Sequence, residues 1–143
     1  AAAYDDITGR LGPRVLLAEM AAPGAEVALG FVADPQFGSV AMISAGGVLI
    51  EIQKDAVLAI PPFDTREAHG FIDRLQMRRV LDGARGKPAL DVAALAQAFA
   101  CFSVMIAHLG EFLAEVDVNP LIVGEKGVQA VDALIVPRTT QSN

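Results

Sequence analysis

The run Glu115-Val116-Asp117-Val118-Asn119-Pro120-Leu121 constrains the fold more than any other stretch of the chain. Asp117 and Asn119 stand two apart in an apolar, β-branched run, so they project from the same face of a strand. Pro120 has no backbone N–H to donate, as expected where a strand's pairing is interrupted. Gly124-Glu125-Lys126-Gly127 then reads as a tight loop, and Val128 to Val136 as the return strand. If Val123 pairs with Val128 in an antiparallel hairpin, counting outward sets Asn119 opposite Asp132. Asp117, Asn119 and Asp132 then share one face and one small volume. Two carboxylates and a carboxamide suit a hard divalent cation such as Mg²⁺, which takes few protein oxygens and fills its other positions with water and phosphate. An Asp-x-Asn triplet alone reads equally as a turn cap or a solvated strand end. The second carboxylate, Asp132, set in register by the loop count, brings the metal reading level with the solvated one.

Composition narrows the function classes. The 143 residues suit a single domain, and 53% hydrophobic residues argue against disorder. No apolar run reads as long enough, free of charge and of Gly or Pro, to cross a bilayer, and no basic, apolar leader opens the chain. The single Cys101 excludes an internal disulfide framework and fits a reducing, cytoplasmic setting; within its apolar helical stretch it reads as a core thiol. The net charge of −6, with lysine only at 54, 87 and 126, argues against a nucleic-acid partner. Any phosphate bound here needs neutralising by a metal or by groups outside the chain.

The order of elements is mixed, which gives an α+β class. Ala1 to Gly9 reads as a frayed helix and Val15 to Met20 as a short strand. Glu26 to Asp34 alternates in a strand pattern, Asp34-Pro35-Gln36-Phe37-Gly38 turns, and Val40 to Ser44 returns. Val48 to Gln53 reads as a further strand, and Lys54 to Pro62 as extended chain ending at a Pro-Pro pair. Asp64 with Glu67 makes a capping-box start for a helix whose stripe is Ala68, Phe71, Ile72 and Leu75. Asp91 is the N-cap of a second helix, with Leu95, Phe99, Phe102, Ile106 and Leu109 at four- and three-residue steps and Gly110 as its stop. A mostly antiparallel sheet packed against two main helices is expected.

Taken in order, Glu26-Val27-Ala28-Leu29-Gly30, Asp34-Pro35-Gln36-Phe37-Gly38, Gly46-Gly47-Val48-Leu49-Ile50-Glu51, Pro61-Pro62, Leu81-Asp82-Gly83-Ala84-Arg85-Gly86, Asp117-Val118-Asn119-Pro120-Leu121 and Ala130-Val131-Asp132-Ala133 carry a resemblance. From Val15 to Ile135 the chain resembles the ATP-grasp region of NDP-forming acyl-CoA synthetases, relatives of the succinyl-CoA synthetase β subunit. The resemblance implies that Asn119 and Asp132 hold Mg²⁺ on the nucleotide phosphates and that Asp117 is the acid of an acidic-x-Asn-Pro motif. It implies that Glu19 is a hinge residue beside the nucleotide base and that Glu26 contacts the nucleotide at the ribose. Gly46, Gly47 and Glu51 would line the phosphate side. Glu19 and Glu26 also read as solvated strand-end acids, and Gly46-Gly47 as a plain turn. Arg85 reads as a phosphate clamp or as a surface arginine ordering its own loop. His69 and His108 lack ligand partners at metal spacing and read as structural or surface residues.

The resemblance also implies what is missing. The family's first ATP-grasp half, with its phosphate-contacting Lys and Gly-rich loop, its His-Lys-x-Asp-x-Gly-Gly-Val motif and the acyl-CoA-binding domains have no counterpart in residues 1–143. Residues 1–143 are therefore expected to form one domain, the C-terminal subdomain of an ATP-grasp fold and a fragment of a longer synthetase, inactive by itself. The partners implied are ATP or ADP and the remaining synthetase domains; the possibility of a homo-oligomer stays open. Two alternatives stand beside this reading: an ATP-grasp region fused to a protein acetyltransferase, and a non-enzymatic α+β interaction module.

Overall fold

The computed structural model describes residues 2–46, 55–83, 86 and 88–138. Helix α1 (Ala2–Leu11) is followed by strands β1 (Ala25–Asp34), β2 (Gly38–Ala45) and β3 (Ala56–Ala59). Helices α2 (Thr65–Ile72), α3 (Arg78–Leu81) and α4 (Val92–Leu109) come next, then a single 3-10 turn (Gly110–Phe112). Strands β4 (Leu113–Val123), β5 (Val128–Ala130) and β6 (Ala133–Pro137) close the chain. The sheet is antiparallel in the order β3-β2-β1-β4-β5, with β6 also on β4. The α+β class and the sheet with two main helices are as expected from the sequence.

One face of the sheet is the core. Val27, Leu29 and Phe31 of β1 and Ala41, Ile43 and Ala45 of β2 alternate inward and meet Leu95, Phe99, Phe102 and Ile106 of α4. Phe63, Phe71 and Phe99 pack edge to face, with Phe63 and Phe99 centroids 4.7 Å apart. The stripe expected of the first main helix is seated as read: Ala68 and Ile72 are buried, Phe71 packs beside them, and Leu75 is buried just past the helix end. Both caps are as read. Asp64 and Glu67 form a reciprocal capping box on α2, and Asp91 accepts from the Ala94 N–H at 2.9 Å on α4.

Four expectations need correction. Val15 to Met20 is not a strand; it runs as irregular chain with Leu16, Leu17 and Met20 about nine-tenths exposed. A strand needs a neighbour, and β1, the strand it precedes, has both edges occupied by β2 and β4. Cys101 is exposed on the outer side of α4, its sulfur accepting from Gln97 Nε2 at 3.3 Å, so it is not a core thiol. Leu109 is half-exposed and does not join the buried stripe, although Gly110, the next residue, still lies against Ser39 of β2. Val92–Phe112 does reach the length and apolar character of a membrane span. Here it serves as a core helix, with Leu95, Ala96, Phe99 and Ile106 fully buried. Gly110 ends α4 as read, in a right-handed conformation with φ −59°. Its lack of a side chain answers a packing demand, since a Cβ there would collide with the Ser39 hydroxyl. The strand expected at Val48 to Gln53 lies outside the described residues.

A buried carboxylate fastens the helical layer to β3. Asp55 accepts from the backbone N–H groups of Gln76 and Met77, both at 2.8 Å. Asp55→Ala leaves two backbone donors without a partner, the buried one of Met77 and the part-buried one of Gln76, and is expected to cost about 3 kcal/mol of stability. Asp55→Asn, which keeps one acceptor oxygen, should cost distinctly less; urea denaturation of both variants checks the order.

Candidate functional site

The hairpin register is the one counted from the loop. Val123 faces Val128, and the loop closes with Gly124 N–H donating to Gly127 O at 3.0 Å. The return strand is interrupted at 131–132, but Val118 faces Ala133 on the same offset, so Asn119 stands opposite Asp132. The Asn119 N–H donates to the Asp132 carbonyl at 3.1 Å, and the Val131 N–H to the Pro120 carbonyl at 3.0 Å.

On its other edge β4 carries a bulge at this point. Val27 faces Leu121 while Leu29 faces Val118, so Ala28 alone opposes both Asn119 and Pro120. The extra residue switches which positions are buried: Val116 and Val118 pack on the core before it, Leu121 and Val123 after it. Asp117 and Asn119 alternate with Val116 and Val118 and therefore project from the opposite face. Asp132, directly across from Asn119, belongs to that face too. Asp117 and Asn119 are half-buried and Asp132 is exposed. One Asp132 carboxylate oxygen accepts from the Ala133 N–H at 2.8 Å, which orients the group.

Among the described residues, no three His, Cys, Asp or Glu side chains converge as a metal cage. Two carboxylates and a carboxamide are the smaller donor set that Mg²⁺ uses when water and phosphate complete its shell, so the residues present fit that ion.

A second part of the site lies at the start of β1. Gly46 N–H donates to Glu26 O at 2.8 Å. A Cβ on Gly46 would come within 2.8 Å of the Glu26 and Val27 backbone, so only glycine permits this approach. Glu26 and Gly46 line an open cleft of about 970 Å³ together with Gly24, Met77, Arg78 and Arg79. Glu26 faces Ile122, three residues along β4 from Asn119, which puts the two parts roughly 10 Å apart at the rise of a strand. Glu19 is exposed in the irregular segment before β1 and is not among the residues lining this cleft. Gly47, Glu51 and Arg85 lie outside the described residues.

Sequence reading missed two features. Arg78 and Arg79 wall the cleft, and Arg78 is held by Asp73 at 2.9 Å and by Asp82. A dibasic pair in an acidic chain was the available signal. Asp91 was read only as a helix cap. Its second oxygen accepts from the Gly127 N–H at 2.9 Å, and its own N–H donates to Gly124 O at 2.8 Å. The N-terminus of α4 thereby clamps the loop of the hairpin. The N–H groups of Ala94 and Gly127 hold the Asp91 carboxyl below the usual carboxylate range.

Comparison with known proteins agrees with the fold. The ATP-grasp domain family matches residues 3–136. The beta subunit of ADP-forming acetate–CoA ligase II from Pyrococcus furiosus is 37% identical over 124 residues, covering 85% of this chain and 52% of that subunit. The ADP-forming 4-hydroxybutyrate–CoA ligase of Nitrosopumilus maritimus is 33% identical over 113 residues, covering 79% of this chain and 16% of that ligase. The chain thus spans about half of one relative and a smaller part of the other. Among solved structures, acetyl-coenzyme A synthetase 1 of Candidatus Korarchaeum cryptofilum, in complex with coenzyme A and Mg-AMPPCP, superposes with a TM-score of 0.76 at 34% identity. That match covers 82% of this chain and 55% of the other.

Proposed function

Because the chain belongs to the ATP-grasp domain family, we propose that it is the magnesium- and nucleotide-binding C-terminal half of the ATP-grasp region in an ADP-forming acyl-CoA synthetase. The reaction of the whole protein is acid + CoA + ATP ⇌ acyl-CoA + ADP + phosphate. The observation that carries the reading is the pairing of Asn119 with Asp132 on the sheet face turned away from the core.

In this reading Asn119 and Asp132 hold Mg²⁺, with Asp117 beside them as a direct ligand or as support. When bound, the ion neutralises charge on the nucleotide phosphates and orients the terminal one. Glu26 accepts hydrogen bonds from ribose hydroxyls at the mouth of the cleft. Gly46, packed without a side chain on the Glu26 backbone, holds the end of β2 beside Glu26 at the wall of the cleft. Asp91 keeps the hairpin loop fixed against α4, and so keeps the strand register on which the pairing of Asn119 and Asp132 depends. The remaining synthetase domains supply the other wall of the nucleotide site, the CoA site and the acid. Relatives acting on acetate and on 4-hydroxybutyrate share this region, so the choice of acid is made elsewhere in the protein.

The test is ligand-dependent stability of the full-length protein. Mg²⁺ with ADP at about a hundredfold over its Kd should add about 2.7 kcal/mol to the stability of the folded state. The expected result is a clear rise in Tm that vanishes when the metal is chelated. No shift with millimolar Mg²⁺ and ADP would reject the nucleotide reading and leave an interaction module as the better account.

A further inference from the structure

Among the described residues, Ser44 carries the one buried side-chain oxygen or nitrogen that lacks a hydrogen-bond partner; the residue is 4% exposed. Buried polar atoms in folded proteins are nearly always paired, and an unpaired one costs stability. The place of Ser44 in the sheet supplies a reason for its presence. Along β2 it alternates with Ile43 and Ala45, which are both in the core, so its side chain stands on the opposite face. That is the face of Asp117 and Asn119.

The register is more specific. Ser44 faces Ala28 of β1, Ala28 faces the Asn119-Pro120 bulge of β4, and Asn119 faces Asp132. Ser44, Ala28, Asn119 and Asp132 thus form one row across three strands and the break in the return strand. Ala28 stands between the hydroxyl and the carboxamide in the row and is itself only 1% exposed, so the row is covered there along with the hydroxyl. At ~4.8 Å per strand the Ser44 and Asn119 positions are about 10 Å apart. A phosphate chain that begins on the Asn119–Asp132 pair and runs along the row crosses Ala28 and arrives at Ser44.

We propose that Ser44 is a phosphate-contacting residue of the nucleotide site, its hydroxyl donating to a non-bridging phosphate oxygen of the nucleotide whose metal Asn119 and Asp132 hold. The inference rests on the nucleotide reading above. No covalent bond changes, and the serine proton stays on its oxygen. Reaching the hydroxyl requires a local movement of what covers it when the nucleotide seats. Once made, a contact shielded from water is stronger than the same contact in solvent.

The proposal gives stability and affinity opposite signs. In the full-length protein, Ser44→Ala removes an unpaired buried group and should raise the ligand-free Tm by about a degree or more. The same change should weaken Mg-ADP binding, measured by titration calorimetry, by about tenfold. A binding constant within about twofold of the parent would overturn the proposal, and so would a fall in ligand-free Tm, which would show the hydroxyl to be bonded in the folded state. Asn119→Ala is measured in parallel. If Asn119→Ala weakens Mg-ADP binding and Ser44→Ala does not, the Ser44 contact fails while the nucleotide reading stands. If neither variant weakens binding, both fail.

Discussion

Asn119→Ala and Asp132→Asn, each made in the full-length protein, are expected to lower the rate of ADP-forming acyl-CoA synthesis by two to three orders of magnitude while leaving the fold intact. The two residues face each other across the hairpin on the side away from the core, joined through the backbone by a 3.1 Å hydrogen bond. Removing either leaves the nucleotide with less neutralisation where charge develops, a class of loss worth about 3–4 kcal/mol. Asp117→Asn separates its two possible roles: a comparable loss marks a direct ligand, a milder one a supporting residue. Glu125→Gln, at the exposed tip of the hairpin loop, is the silent control. Rates near the parental value at saturating Mg²⁺ for both Asn119→Ala and Asp132→Asn would reduce the hairpin acids to surface residues.

Phe99→Ala should be the most damaging of the core truncations. Phe99 is fully buried under the sheet and meets both Phe63 and Phe71 edge to face. The loss combines transfer of a large side chain, the cavity left behind and the aromatic contacts, for a total of about 3–5 kcal/mol. Cys101→Ala, two residues on but on the outer side of the same helix, should stay within about 0.5 kcal/mol. Urea midpoints of the pair measure the difference. A Phe99→Ala loss below about 1 kcal/mol would mean that α4 does not pack as described.

The contrast between these two residues shows what a sequence can and cannot disclose. The stripe of Leu95, Phe99, Phe102 and Ile106 was legible because large side chains repeat at helical steps. Cys101 was misread because α4 is rich in alanine and apolar almost all round, which leaves no polar face to mark the solvent side. The hairpin was legible for a local reason: a four-residue loop and a residue-by-residue count outward from it set the register without reference to the rest of the chain. Val15 to Met20 was misread because a strand exists only with a neighbour, and no local pattern says whether one is free. The row joining Ser44 to Asn119 was out of reach altogether. Its members lie on β2, β1 and β4, and the order in which strands assemble is a property of the whole sheet.

The bulge in β4 has a consequence for how this strand tolerates change. Upstream, Val116 and Val118 are held to apolar residues by the core; downstream, Leu121 and Val123 are held in the same way. The two halves are out of phase by one position, and Asn119-Pro120 is the joint that absorbs the slip. A residue at such a joint answers to neither half, so its chemistry is free to be chosen for a task other than packing. The same uncoupling makes the joint intolerant in length. Deleting one residue there would leave both halves on their own faces by plain alternation, but it would pass the extra residue to the return strand, and Asp132 would lose its fixed place opposite Asn119.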